Sequence, residues 1–173
     1  MNILELNTQL AACGSRFSLA VTGSGMTGAT EFFKETGASS FLDEVRIPYS
    51  FAASRRLCSW TEDDPRKIVC DETACALAKG IWRENYFWRT APTNGIGIGV
   101  TGKLIQAHER LGREHEVWAA AYVPPDEGRF FDNPTPYFVQ RMVPTPGSRA
   151  EQESQASQFL HQFMLKVAEQ VRR

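Results

Sequence analysis

Two stretches of this sequence combine glycine with side chains able to do chemistry. The first is Thr22-Gly23-Ser24-Gly25-Met26-Thr27-Gly28 and the second is Thr101-Gly102-Lys103. Glycine lets a backbone approach a ligand closely. The hydroxyls of Thr22, Ser24 and Thr27 can donate a proton or attack, and a helix beginning just after the loop turns its amide dipole toward it, so an anion or oxyanion is favoured there. An alcohol becomes a useful nucleophile only with a base in hydrogen-bond reach. Arg55 and Arg56 cannot serve, because guanidinium stays protonated, which leaves Tyr49, Lys103 and His115. Plainer roles compete: the glycines turn the chain, the hydroxyls cap the helix, and Lys103 is a solvated loop cation, the commoner use of such a lysine.

Both stretches follow segments that read as strands. Phe17 to Thr22 is β-rich at its end, and Gly95 to Thr101 alternates glycine with β-branched residues, as in a core strand with one face pressed against a neighbour. Ligands of open α/β sheets gather at the carboxyl ends of strands, so the two loops are expected to share one site. The remaining pattern supplies the frame. Helices are predicted over Ile3 to Ala12 and over Thr27 to Thr36, the latter with Ala29, Phe32 and Phe33 inward and a stop at Gly37. An extended segment over Phe41 to Tyr49 contains Pro48, which suggests an edge strand or a strand end. Ser50 to Cys58 reads as a helix. Asp71 is placed to cap another reaching Tyr86, with Ala74, Leu77, Ala78 and Ile81 as its buried stripe. Val117 to Val123 and Pro136 to Val143 form a candidate antiparallel hairpin around a turn-rich connection, and a last helix runs from about Ser148 to Val171. This order predicts an α/β fold, a three-layer α/β/α sandwich with a mixed sheet, in one domain over residues 1–173.

Composition narrows the partners. Nineteen basic against 20 acidic residues give a formal charge of -1, and no basic run offers the positive stripe that a nucleic acid needs. A single phosphate on a small ligand asks for much less. The four cysteines, Cys13, Cys58, Cys70 and Cys75, lack zinc-knuckle or dithiol spacing and read as free thiols. His108, His115 and His161 form no cluster, with His108 and His161 expected on helix surfaces, so neither metal nor cofactor is expected. No apolar stretch is long enough to cross a bilayer, and the start has no basic region ahead of an apolar core, so a cytoplasmic location is expected. Trp82, Tyr86, Phe87 and Trp88 can stack on an aromatic ligand, although such spacing more often marks core or a subunit contact, in which case a homo-oligomer is expected.

Five segments taken together resemble the C-terminal, nicotinamide-nucleotide-amidase domain of the competence-damage protein CinA. In that family an Ala-Glu-Ser-Cys-Thr-Gly-Gly loop is followed by a Pro-Gly-Ser-Ser turn, a Tyr-Ser-Asn-Glu-Ala-Lys segment, a Val-Ser-Glu-Glu helix start and a Thr-Gly-Ile-Ala-Gly-Pro loop. Their counterparts here are Ala20 to Met26, Gly37-Ala38-Ser39-Ser40, Tyr49-Ser50 through Ser54, Val69-Cys70-Asp71-Glu72-Thr73-Ala74, and Val100-Thr101-Gly102. Gly147-Ser148-Arg149 is similar to a Gly-Asp-Arg ahead of the last helix, and Arg113-Glu114-His115-Glu116 is similar to a Gly-Glu-His-Arg segment of divergent members.

The resemblance implies a CinA-like domain that hydrolyses the carboxamide of nicotinamide mononucleotide to nicotinic acid mononucleotide and ammonia, or a catalytically degenerate relative that binds a nucleotide or a protein partner. Taken with the reading of the residues themselves, it leaves Thr22, Ser24, Tyr49 and Lys103 as catalytic candidates. Gly23, Gly25, Thr27, Ser50, Thr101, Gly102 and His115 become candidates for contact with the small nucleotide ligand. The departures are specific. Thr22 stands at the family's nucleophilic serine, Ser54 at its activating lysine, Val21 at the acidic residue before the nucleophile, and Lys103-Leu104-Ile105 where a glycine-proline run belongs.

Overall fold

The computed structural model describes residues 2–61, 67–86, 95–106, 114–124 and 137–171. Helix α1 (Ile3–Ala11) opens on a capping box, in which the Asn2 side chain accepts from the Glu5 N–H and the Glu5 carboxylate accepts from the Asn2 N–H. Strand β1 (Arg16–Thr22) leads into the short helix α2 (Met26–Glu31), a 3-10 turn at Phe32–Lys34 and a second at Ala38–Ser40. Then come β2 (Leu42–Arg46), α3 (Phe51–Cys58), α4 (Asp71–Tyr86), β3 (Gly95–Lys103), β4 (Glu116–Tyr122), β5 (Tyr137–Met142) and α5 (Arg149–Val171). The predicted element order holds, with boundaries moved by a few residues.

The sheet runs β2-β1-β3-β4-β5. β1 pairs in parallel with β2 and β3, while β3–β4 and β4–β5 are antiparallel. Alternation along the strands divides the core by face. Phe17, Leu19, Val21, Ile96, Ile98, Val100, Val117 and Ala119 share one cluster with Leu6 and Leu10 of α1 and Leu160, Phe163 and Met164 of α5. Ala20 meets Leu57, Leu77 and Ile81, and Ala120 meets Ala74 and Ala78, on the face covered by α3 and α4. Two helical layers thus enclose a mixed sheet.

The glycines of β3 explain how close α4 lies. A Cβ at Gly97 would stand 2.0 Å from the Ala78 carbonyl oxygen, and one at Gly99 would stand 2.1 Å from that of Ala74. Glycine therefore lets the helix backbone rest on the strand, as the alternating pattern predicted. All four residues of the expected α4 stripe are buried.

Three expectations are corrected. Phe32 is buried but Phe33 is 61% exposed, because the helical run breaks into a 3-10 turn that rotates it outward. Asp71 is the first helical residue of α4 rather than its cap. His161, expected on a surface, is buried: it packs on the Phe32 ring and its Nε2 lies 2.9 Å from the Gly28 carbonyl oxygen. His108, Phe87 and Trp88, together with the connection between β4 and β5, fall outside the described residues, and Trp82 packs against Tyr122.

Candidate functional site at the carboxyl ends of β1 and β3

The two glycine-bearing stretches meet. Thr22 and Thr101 are register partners across the parallel β1–β3 pair. Just beyond them, a Cβ on Gly23 would fall 2.0 Å from the Gly102 carbonyl oxygen, and one on Gly102 would fall 1.9 Å from Ser24 Oγ. Gly23 and Gly25 have φ of 80° and 78°, left-handed values that glycine takes without strain. Contact with backbone excludes a side chain at Gly23, contact with the Ser24 side chain excludes one at Gly102, and Gly25 is favoured by its left-handed φ alone.

The second stretch is not a loop. Thr101, Gly102 and Lys103 continue β3 and pair with Trp118, Val117 and Glu116 of β4. Strand pairing extends the ladder through the point where a turn was expected, since the neighbouring hairpin satisfies these backbone groups.

Alternation then sorts the side chains. Thr22, Thr101 and Lys103 fall on the face covered by α4, whereas Ser24 is turned toward Gly102 on the other side. Thr101 is fully buried and its Oγ1 donates to the Ile68 carbonyl at 2.7 Å, tying β3 to the chain entering α4. Ser24 Oγ is buried with no hydrogen-bond partner among the described residues. Thr22 is 5% exposed.

The amides of the first loop already hold a negative charge. Glu153 on α5 places Oε2 3.0 Å from the Gly25 N–H and Oε1 3.0 Å from the Thr27 N–H, so one carboxylate bridges both donors. Arg149, one turn earlier, donates to the carbonyls of Ile105 (3.0 Å) and Gly23 (3.5 Å) and so spans the segments leaving β3 and β1. Gln152 accepts from the Ile105 N–H and donates to His115 Nδ1 at 3.3 Å and to the Thr145 carbonyl. That Nδ1 is therefore engaged by α5.

Other candidates lie at the start of α3. Ser50 is its N-cap, accepting from the Ala53 N–H, and Ser54, at the position of the family's lysine, is buried and donates to the Pro48 carbonyl at 2.8 Å. Tyr49 is 70% exposed and makes no side-chain hydrogen bond among the described residues.

Arg149, Gln152 and Glu153 escaped the sequence reading as site residues. The Gly147-Ser148-Arg149 match was the one available signal. Arg149 and Glu153 sit 126 to 128 positions from the first loop, which they contact, and nothing local in a helix start shows which loop it faces.

Away from this point, a groove of about 410 Å³ beside α4 is lined by residues including Cys58, Cys75, Lys79, Arg83, Tyr137 and Val139, none of them from the converging segments. The Cys75 thiol is pushed up to about 11 by burial and by the nearby Asp71 carboxylate, so it stays protonated and poorly nucleophilic at neutral pH. Cys70, Asp71 and Glu72 hold their ligand atoms within 4.8 Å of one another in the first turn of α4. There the Cys70 thiol donates to the Lys67 carbonyl. No helix among the described residues is long and apolar enough to cross a membrane.

The architecture is an α/β/α sandwich, and the candidate site lies where two parallel strands end against the first turn of the last helix. Solved structures of the CinA superfamily share this fold. A competence-damaged protein superfamily structure from Enterobacter cloacae superposes with a TM-score of 0.74 at 14% identity, covering 97% of this chain and 93% of its own. One from Klebsiella pneumoniae gives 0.74 at 19%, covering 98% and 99%. A competence or damage-inducible protein from Enterobacter asburiae gives 0.75 at 16%, covering 97% and 99%. Neither a protein-family profile nor a curated protein matches the sequence.

Proposed function

We propose that this chain is a CinA-like domain that binds a phosphate-bearing pyridine nucleotide of the nicotinamide mononucleotide kind without hydrolysing its carboxamide. The observation that carries this is Glu153. Amide hydrolysis passes through a tetrahedral oxyanion that needs preorganised N–H donors. Here the Gly25 and Thr27 amides donate to a carboxylate of the same chain, and a second negative charge beside it is repelled. The hydroxyl at the position of the family's activating lysine is spent on the Pro48 carbonyl. Binding asks less of the site: Arg149 and Lys103 provide positive charge near the strand ends, and Thr22 provides a hydroxyl.

One observation favours hydrolysis instead. Thr22 and Lys103 lie on the same face of adjacent strands, the placement that a general base for the threonine hydroxyl requires. Ammonia release from nicotinamide mononucleotide, measured together with calorimetric binding, separates the two. We expect binding with no ammonia. Release that Thr22→Ala and Lys103→Met abolish would establish the amidase reading, and absence of both binding and release would refute both.

A further inference from the structure

Gln152, in the first turn of α5, is 1% exposed. Its amide joins three segments that are distant in sequence. Oε1 accepts from the Ile105 N–H at 2.8 Å on the chain leaving β3, and Nε2 donates to His115 Nδ1 at 3.3 Å ahead of β4 and to the Thr145 carbonyl at 3.4 Å between β5 and α5. The two ends of an amide are not interchangeable. Turning this one over would set its oxygen against the Thr145 carbonyl and its N–H groups against the Ile105 N–H, so the backbone fixes Nε2 toward the imidazole. A donor facing Nδ1 requires a ring nitrogen with a free lone pair. His115 therefore stands as the neutral ring with its proton on Nε2.

A proton on Nδ1 reverses that contact. Two N–H groups then meet around a buried amide, where an unmet donor costs free energy, and Gln152 cannot turn to accept without abandoning Ile105. We infer that His115 and Gln152 form a proton-operated latch at the candidate site: neutral His115 lets Gln152 hold the chain after β3 and the chain before α5 together, and protonated His115 releases them. The release reaches the strand ends, because Arg149 ties the Ile105 carbonyl to the Gly23 carbonyl. The latch is independent of which ligand the site takes.

Among the described residues, the charged side chains on the elements around His115 are Lys103 of β3, Glu114 and Glu116 at the start of β4, Arg141 of β5, and Arg149, Glu151 and Glu153 of α5. Arg141 is committed to Glu114 and Glu116, Glu151 to Ser148, and Glu153 to the Gly25 and Thr27 amides. Burial opposes ionisation of Glu116, but the Trp118 indole N–H and the Lys67 and Arg141 charges outweigh it and hold the carboxyl below its usual range. Glu116 thus stays charged at about pH 5, where a histidine gains its proton.

Native-state hydrogen exchange of the full chain at about pH 7.5 and about pH 5 tests the latch. The Ile105 amide is the reporter, and the Ile98 amide, inside β3, is the reference for global unfolding. Ile105 protection is expected to fall about tenfold relative to Ile98 on acidification, the equivalent of one lost hydrogen bond. His115→Asn keeps an oxygen acceptor in the place of Nδ1 and takes up no proton, so the fall disappears. Gln152→Glu accepts from the Ile105 N–H and from a protonated ring alike and also removes the fall, a rescue that a merely structural glutamine does not give. Nitrogen NMR of the His115 ring at about pH 7.5 is expected to place the proton on Nε2. A proton on Nδ1 instead, an equal loss of protection at Ile98, or a fall that persists in His115→Asn overturns the latch.

Discussion

Ser24 shows how residue type misleads when burial is unknown. A serine between two glycines, after a strand, has the form of an exposed nucleophile, yet its Oγ is enclosed against Gly102 with no partner among the described residues. A buried hydroxyl that has surrendered its water contacts costs stability. Ser24→Ala is therefore expected to raise the unfolding free energy by about 1 kcal/mol and to leave nucleotide binding unchanged. Urea denaturation with parallel binding isotherms checks it, and a destabilised variant or a lost ligand would show that the hydroxyl has a use. Thr22 differs: it keeps slight exposure and lies on the face where Lys103 stands, so any hydroxyl chemistry belongs there.

At the scale of elements, the site is organised by α5. Its first turn sends Arg149 to the segments after β1 and β3, Gln152 to Ile105 and His115, and Glu153 to the entry of α2. One turn further on, Gly28 lets α2 pack on α5 so closely that a Cβ would stand 2.7 Å from Ser157 Cα. Glu153→Ala leaves the Gly25 and Thr27 amides without their carboxylate. Because the contact is partly exposed and water can replace part of it, the expected loss is about 1–2 kcal/mol, read as a lower urea midpoint. An unchanged midpoint would mean that Glu153 contributes nothing to holding α2. The opposite edge is fixed by charge: Arg46 of β2 bonds Glu84 of α4 and Glu44, and Asn85 donates to Glu44.

The whole molecule carries an alkaline liability. Burial first, then the Asp71 charge, raises Cys75 from an ordinary 9.0 to about 11. Burial first, then Cys75 and Tyr122, raises Tyr137 from 10.0 to about 12. Both groups bind protons more tightly folded than unfolded, so the stability they contribute is complete below about pH 9 and is lost as pH rises through 11 to 12. Melting temperature is expected to fall steeply over that window, less so in Tyr137→Phe. A melting temperature independent of pH from 9 to 11.5 would contradict this account. Glu116 works in the other direction: held below its usual range, its contribution is present above the ordinary 4.5 and is lost as pH falls through its lowered folded value.

Much of this was legible from local pattern. The α4 stripe, the glycine face of β3, the edge character of β2 ahead of Pro48 and the meeting of the Thr22 and Thr101 segments each follow from periodicity, backbone freedom or strand order, which a chain carries in its neighbouring residues. The tertiary structure alone decided that Ser24 faces inward, that β3 runs on through Lys103, and that Glu153 and Arg149 close over the strand ends. Those outcomes depend on which surfaces compete for the same backbone donors and the same small volume, and that competition arises only once segments more than a hundred residues apart are brought into contact.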